Sequence, residues 1–248
     1  MHKPHYITSD IHLGAVPAST ERAFVRFLEH AGAEAGTLLL NGDVFDFWFE
    51  YGDVVPGRHF RVLTALADVV EAGVPVTLLG GNHDAWGGRF LSEEVGLKLV
   101  DGPWHTRFAG RDALVVHGDG VGRGDLKYRA LKATIRSRAA TLAFRALHPQ
   151  LGMKLARAVS TTEAKAHADE AARGRASHIR EWATQQLRER PEIAYVVSGH
   201  AHLPELLEFE PGRWYMNAGD WISRATYLTL DAAGAPRLHD WPVQAARS

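Results

Sequence analysis

Five short polar clusters hold residue types that bind metal ions and move protons: Asp10-Ile11-His12, Asn41-Gly42-Asp43, Gly81-Asn82-His83-Asp84, His117-Gly118-Asp119 and Gly199-His200-Ala201-His202. The chain has no cysteine. That excludes a thiolate zinc site, a disulfide scaffold and a thiol nucleophile, so a metal must be held by imidazole, carboxylate and amide oxygen. The count of donors fits two ions. Asp10, His12 and His202 supply one, Asn82, His117 and His200 supply the other, and Asp43, with two carboxylate oxygens, bridges them. A mixed nitrogen and oxygen set favours Mn²⁺, with Fe²⁺ or Zn²⁺ as alternatives, over Mg²⁺. Two divalent ions about 3.5 to 4 Å apart activate a shared water and clamp the oxygens of a displacement at phosphorus. The expected chemistry is therefore phosphoester hydrolysis, with no nucleophilic side chain required. His83 follows Asn82 directly and is placed to protonate the leaving group, with Asp84 orienting its ring. In Asp10-x-His12 and His200-x-His202, alternate side chains point the same way if the backbone is extended. Gly42, Gly81, Gly118 and Gly199 allow tight turns beside the ions.

Each cluster directly follows a short apolar run: Tyr6-Ile7, Leu38-Leu39-Leu40, Val76-Thr77-Leu78-Leu79, Leu114-Val115-Val116 and Ala194-Tyr195-Val196-Val197. Short, non-alternating and aliphatic, these read as buried strands. Between them, Phe24, Phe27, Leu28 and Ala31 fall on one helical face that Ser19 or Thr20 can open and Gly32 and Gly36 can close. Residues 61–72 repeat the pattern through Leu63, Leu66, Ala67 and Val70, ahead of Gly73. The rhythm is α/β. In such sheets the loops leaving the carboxyl ends of strands share one crevice, so the five clusters are expected to converge. Tyr227-Leu228-Thr229-Leu230 and the turn Gly234-Ala235-Pro236 suggest late antiparallel strands on a second sheet.

The stretch 124–191 breaks the rhythm. It carries no strand signal and reads as a helical insertion within one domain spanning 1–248. Leu131, Ile135, Ala139, Leu142 and Ala146 form one stripe of a helix that His148-Pro149 stops, while Arg129, Lys132 and Arg136 share another face. Ser160 and Glu163 have capping-box spacing. Between Arg123 and Val159 stand nine basic residues and one acidic, in a chain of net charge −1. Only Tyr128 and Phe144 are aromatic among those cations, too few for a nucleic-acid groove, and no nucleic-acid partner is expected.

The chain has 248 residues, 46% of them hydrophobic, with a pI near 6.9. These values describe one enzyme-sized globular domain rather than a disordered chain. No stretch reaches the roughly 18 uncharged apolar residues of a membrane span. The beginning Met1-His2-Lys3-Pro4-His5 lacks the features of a secretory leader, and the expected location is the cytoplasm. No P-loop or dinucleotide fingerprint is present.

The strings SDIHLG, NGDVFDFW, GNHD, VVHGDG and SGHAH, in this order over residues 9–202, resemble the calcineurin-like metallophosphoesterases. That resemblance implies a four-layer α/β/β/α sandwich with a dinuclear site at one edge. A closer likeness, in FDFWFEYGDVVP, GDLKYRALKATIRSRAATLAFRALHP and NAGDW, is to the UDP-2,3-diacylglucosamine pyrophosphohydrolases of lipid A synthesis. It implies attack on the α-phosphorus of a UDP-linked, doubly acylated glucosamine, giving UMP and a lipid monosaccharide 1-phosphate. It also implies a helical cap over the acyl chains and a peripheral position on the inner-membrane surface, in keeping with the mixed apolar and cationic helices. Asp125, Lys127 and Tyr128 are then candidate substrate contacts, together with Trp48 and the late Asn217, Asp220 and Trp221. One position departs from the best-known branch, which carries Arg after the metal-binding Asn where this chain has His83.

Overall fold

The computed structural model describes residues 3–122, 126–155 and 169–243. Six strands form a first sheet in the order β11-β10-β1-β2-β3-β4: β1 (His5–Thr8), β2 (Thr37–Leu40), β3 (Val76–Leu79), β4 (Lys98–Val100), β10 (Thr226–Leu230) and β11 (Pro236–Asp240). Strands β1 to β4 run parallel, and β10 pairs antiparallel to β1 with Ile7 opposite Leu228. A second sheet has the order β5-β6-β7-β9-β8, from β5 (Trp104–Phe108), β6 (Arg111–Val115), β7 (Tyr195–Ser198), β8 (Glu205–Glu210) and β9 (Arg213–Asn217). All five apolar runs are strands. The expectation that Tyr227–Leu230 lies on the second sheet is corrected: it extends the first one, where Leu228 and Leu230 cover the same interior as Ile7.

Alternation along the strands builds the layers. Tyr6, Leu38, Leu40, Val76 and Leu78 face outward onto helices α1 (Ala18–Glu34) and α2 (Phe60–Glu71). Ile7, Leu39 and Leu79 face inward onto Val115, Val197 and Met216 of the second sheet. Phe24, Phe27 and Leu28 of α1 are fully buried, each worth about 1.5 to 3 kcal/mol in transfer from water. This burial carries α1 through Gly32, whose cost in a helix interior is only about 1 kcal/mol. No side chain caps the helix; it opens after Pro17.

Between β6 and β7, after the loop of His117, the described residues form helices α3 (Leu126–Ile135), α4 (Arg138–Arg145), 149–155 and α5 (Asp169–Glu189) and no strand. The single helix expected from Leu131 to Ala146 is two. It breaks at Ser137, whose backbone is extended and whose side chain accepts from Ala140 N at 3.2 Å, an N-cap for α4. The end of this stretch is no insertion over the site. Ala176, Ile179, Ala183 and Leu187 of α5 pack on Leu114, Val116, Val196 and Tyr215 and form the outer layer of the second sheet. The result is the expected α/β/β/α order. Ser160 and Glu163 lie outside the described residues.

Candidate active site

The site is assembled from loops that leave β1, β2, β3, β6 and β7. Asp10 N donates to Gly42 O at 3.0 Å, His12 N to Asp43 O at 2.9 Å and Gly199 N to His117 O at 2.7 Å, so backbone bonds link neighbouring loops pairwise. Ligand-type atoms gather in three groups, each within 4.8 Å: Asp10, His12 and His202; Asp43, His117 and His200; and His12, Asp43 and His83, which joins the other two. Asp43 Oδ2 stands 3.2 Å from His117 Nε2 and 3.7 Å from His12 Nε2, and Asn82 Oδ1 lies 3.3 Å from His117 Nε2. All seven residues read from the sequence as ligands are brought to one place.

The backbone reaches this arrangement at a cost. Asp10, His12, Asp43, His200 and His202 all have φ between 51° and 64°, a left-handed conformation that costs a non-glycine residue about 1 to 3 kcal/mol. The Asp10-x-His12 and His200-x-His202 pairs are therefore not extended, contrary to expectation. One outcome is that His200 and His202 face different groups. Two glycines are required by close approach rather than by turn geometry alone. A Cβ on Gly81 would collide with the Asp43 carboxylate, and one on Gly199 would lie 2.8 Å from Asp10 Oδ2.

The electrostatics call for a cation. Asp10 and Asp43 are buried, and among the described residues only imidazoles lie within ion-pair distance of them. Burial alone would raise Asp43, yet His117, His83 and His12 hold it well below the usual carboxylate range. Burial disfavours a charged His117, but Asp43, Asp10 and Asp119 outweigh it and push the ring up to about 10. Burial and the His117 charge drive His200 down to about 3. His117 is the nearest imidazole to Asp43, and its charge is the one the site favours most clearly. His117 Nδ1 donates to Asn41 O at 2.9 Å, which leaves Nε2 facing Asp43. His12 Nε2 is buried without a hydrogen-bond partner. Buried carboxylates, an orphaned imidazole nitrogen and an amide oxygen on one centre are a donor set for a divalent cation such as Mn²⁺, Fe²⁺ or Zn²⁺.

Several expected roles change. Asp84 does not orient His83: its two oxygens accept from the backbone N–H groups of Asp43, Val44, Phe45 and Gly81 at 2.7 to 3.3 Å, which ties the β2 loop to the β3 loop. The residue at His83 is instead Asp46, a position not among those expected to carry chemistry. His83 Nδ1 donates to Asp46 O at 2.9 Å, and the Asp46 carboxylate lies 3.6 Å from His12 Nδ1. The aspartate three residues after Asp43 was the available signal. Trp48 is fully buried, and its Nε1 donates to Glu50, so it is no substrate contact. The same holds for Trp221, buried with Nε1 on Thr8 Oγ1 at 2.7 Å, and for Asn217, which donates to Gly199 O. Asp220 sits behind His202 rather than in the open crevice. Asp125 lies outside the described residues, and Lys127 and Tyr128 fall in the first turn of α3 with side chains outside the described set.

Helix α3 is fastened to the rim. Lys132 Nζ pairs with Asp119 at 2.6 Å, and Arg136 donates to Gly81 O at 2.6 Å and pairs with Asp101 at 2.7 Å. Two cations of the basic face are thus engaged within the protein. A cavity of about 360 Å³ opens beside His117, walled by Leu79, Pro103, Val116, Val121, Lys132 and Arg136. Farther out, Phe144 of α4 packs on Phe49 at 4.8 Å and on Phe47 at 5.7 Å between ring centres. No helix among the described residues is long and apolar enough to cross a membrane.

The family model for calcineurin-like phosphoesterases matches residues 4–204. A UDP-2,3-diacylglucosamine hydrolase of Porphyromonas gingivalis is 29% identical over 244 residues, covering 91% of this chain and 93% of that protein. One of Ralstonia nicotianae is 31% identical over 228 residues, covering 88% and 84%. A dimetal phosphatase structure from Danio rerio aligns with a TM-score of 0.48 at 9% identity, covering 97% of this chain and 99% of that one. The chain belongs to the calcineurin-like phosphoesterases and is a metal-dependent hydrolase.

Proposed function

We propose that this enzyme cleaves the diphosphate of UDP-2,3-diacylglucosamine, releasing UMP and 2,3-diacylglucosamine 1-phosphate, at a centre of two divalent cations, with Mn²⁺ the preferred ion. Asp10, His12 and His202 would hold one ion and Asn82, His117 and His200 the other, with Asp43 between. When bound, the ions lower the pKa of a water and neutralise charge on the phosphoryl oxygens. The observation that carries this reading is the convergence of Asp10, His12 and His202 with Asp43, His117 and His200 around buried carboxylates whose ion-pair partners among the described residues are all imidazoles.

The remaining work falls to the chain itself. His83 donates to Asp46 O through Nδ1, so the proton it gives to the departing phosphate oxygen is that of Nε2. His83 N donates to Asp43 Oδ1 at 2.9 Å, so the acid and the bridging carboxylate move as one unit. Asp84 keeps both loops in register. Ile135, Leu142, Leu151 and Leu155 are exposed on the helices beyond the rim, interspersed with Arg138, Arg145 and Lys154. Apolar side chains beside cations suit acyl chains and anionic headgroups, which supports a peripheral position on the cytoplasmic face of the inner membrane. The names of the relatives support the lipid substrate.

The test is Mn²⁺-supplemented hydrolysis of UDP-2,3-diacylglucosamine in detergent, read by phosphorus NMR beside UDP-N-acetylglucosamine and bis-p-nitrophenyl phosphate. UMP released from the lipid substrate alone supports the reading. Turnover of the generic diester without the lipid substrate would keep the centre and discard the substrate, pointing to another nucleotide or lipid-linked phosphodiester.

A further inference from the structure

The segment 217–221 lies beyond the residues that the family model matches, which end at 204, yet it forms the back wall of the first ligand group. Ser9 Oγ donates to Gly219 O at 3.0 Å, and Trp221 N donates to Asp10 O at 3.1 Å. Asn217 Nδ2 donates to Gly199 O at 3.0 Å, and its Oδ1 accepts from Gly219 N at 2.9 Å. The segment thereby ties the loop of Asp10 to the loop of His200 and His202. At its centre Asp220 is buried with its carboxylate divided. Oδ1 accepts from Ser223 N at 2.9 Å, Ser223 Oγ at 2.8 Å and Arg224 N at 3.4 Å, while Oδ2 faces His202 Nδ1 at 3.3 Å. The other nitrogen of that ring, Nε2, lies 3.6 Å from Asp10 Oδ1.

A carboxylate only accepts, and Asp220 stands closer to Nδ1 than Asp10 does to Nε2, so in the neutral imidazole the hydrogen belongs on Nδ1 and the lone pair of Nε2 points toward Asp10 and the first ligand group. The three donors on Oδ1 keep Asp220 from rotating into the group as a ligand itself. We propose that Asp220 is a positioning residue that fixes the tautomer and orientation of His202 for the ion held with Asp10 and His12. This rests on the metal-centre reading above. His117 in the other group is backed by a neutral carbonyl, that of Asn41. An anion behind the ring strengthens Nε2 as a donor, so the first group takes the tighter ion.

The test titrates Mn²⁺ into the metal-stripped full chain, as wild type, Asp220→Asn and Ser223→Ala, followed by calorimetry. The ¹⁵N imidazole signals of His202, identified by their absence in His202→Gln, are recorded without metal. The wild type is expected to take two ions, with His202 protonated on Nδ1. Asp220→Asn is expected to weaken the tighter ion by about 10- to 100-fold, spare the other, and yield a mixture of tautomers. Ser223→Ala, which removes one of the three donors on Oδ1 and loosens the carboxylate, shifts both readouts less in the same direction and serves if Asp220→Asn does not fold. Equal weakening of both ions, or an unchanged tautomer and affinity, overturns the role of Asp220. A wild type that takes no ion overturns the metal-centre reading and this role together.

Discussion

The loop cluster at the strand ends and the helices between β6 and β7 are opposites in construction. In the cluster, five ligand-type residues adopt left-handed backbone, and the imidazoles are held by partners in the loops: Asp46 for His83 and His12 and Asn41 O for His117, while Asp84 ties the loops together. Strain of this kind persists only where the surroundings over-determine it. Helices α3 and α4 instead rest on the rim through Lys132, Arg136 and Phe144, with Leu142 and Ile135 left exposed. Under the proposed function, the chemistry falls to the tightly tied part and recognition of the acyl chains to the part that is fastened at few points.

Substitutions can break or sharpen that division. Asp43→Ala removes the one carboxylate that faces both ligand groups and is expected to abolish hydrolysis and lower metal stoichiometry, measured by elemental analysis and steady-state assay. His83→Ala is expected to lower kcat by about 10²- to 10⁴-fold with metal content retained; loss of the ions would instead make His83 a ligand. Asp46→Ala, outside the ligand set, is expected to lower kcat/KM by about 10- to 100-fold, since it touches both His83 and His12. The smallest effect belongs to the helices. Lys132→Met removes the ion pair with the buried Asp119 and is expected to cost about 1 to 3 kcal/mol in urea denaturation, raising KM more than it lowers kcat. A kcat loss as large as that of His83→Ala would erase the division between the two regions.

The same contrast explains what the sequence could say. Asp10, His12, Asp43, Asn82, His117, His200 and His202 were legible because each follows a buried strand, and strand ends in α/β sheets open into one crevice. The roles of Trp48, Trp221 and Asn217 were not legible. Their residue types suit either a binding surface or a core, and only burial against Glu50, Thr8 and Gly199 decides. Asp46 stands where Asp84 was expected for a similar reason: proximity in sequence to His83 favoured Asp84, whereas the loop geometry turns Asp84 onto four backbone N–H groups and brings Asp46 O to the ring. In the helical stretch, α5 has a regular apolar face in Ala176, Ile179, Ala183 and Leu187, but periodicity does not name the surface that covers a helix. Strand β10 shows the same limit, since its alternation fits either sheet and its pairing with β1 is non-local.

The central claim is that one bridging carboxylate joins two cation sites, and anomalous scattering from Mn²⁺-soaked crystals tests it most directly. The account predicts two peaks about 3.5 to 4 Å apart, with Asp43 between them, Asp10, His12 and His202 on one, and Asn82, His117 and His200 on the other. A single peak, or a pair that leaves Asp43 uncoordinated, would contradict it.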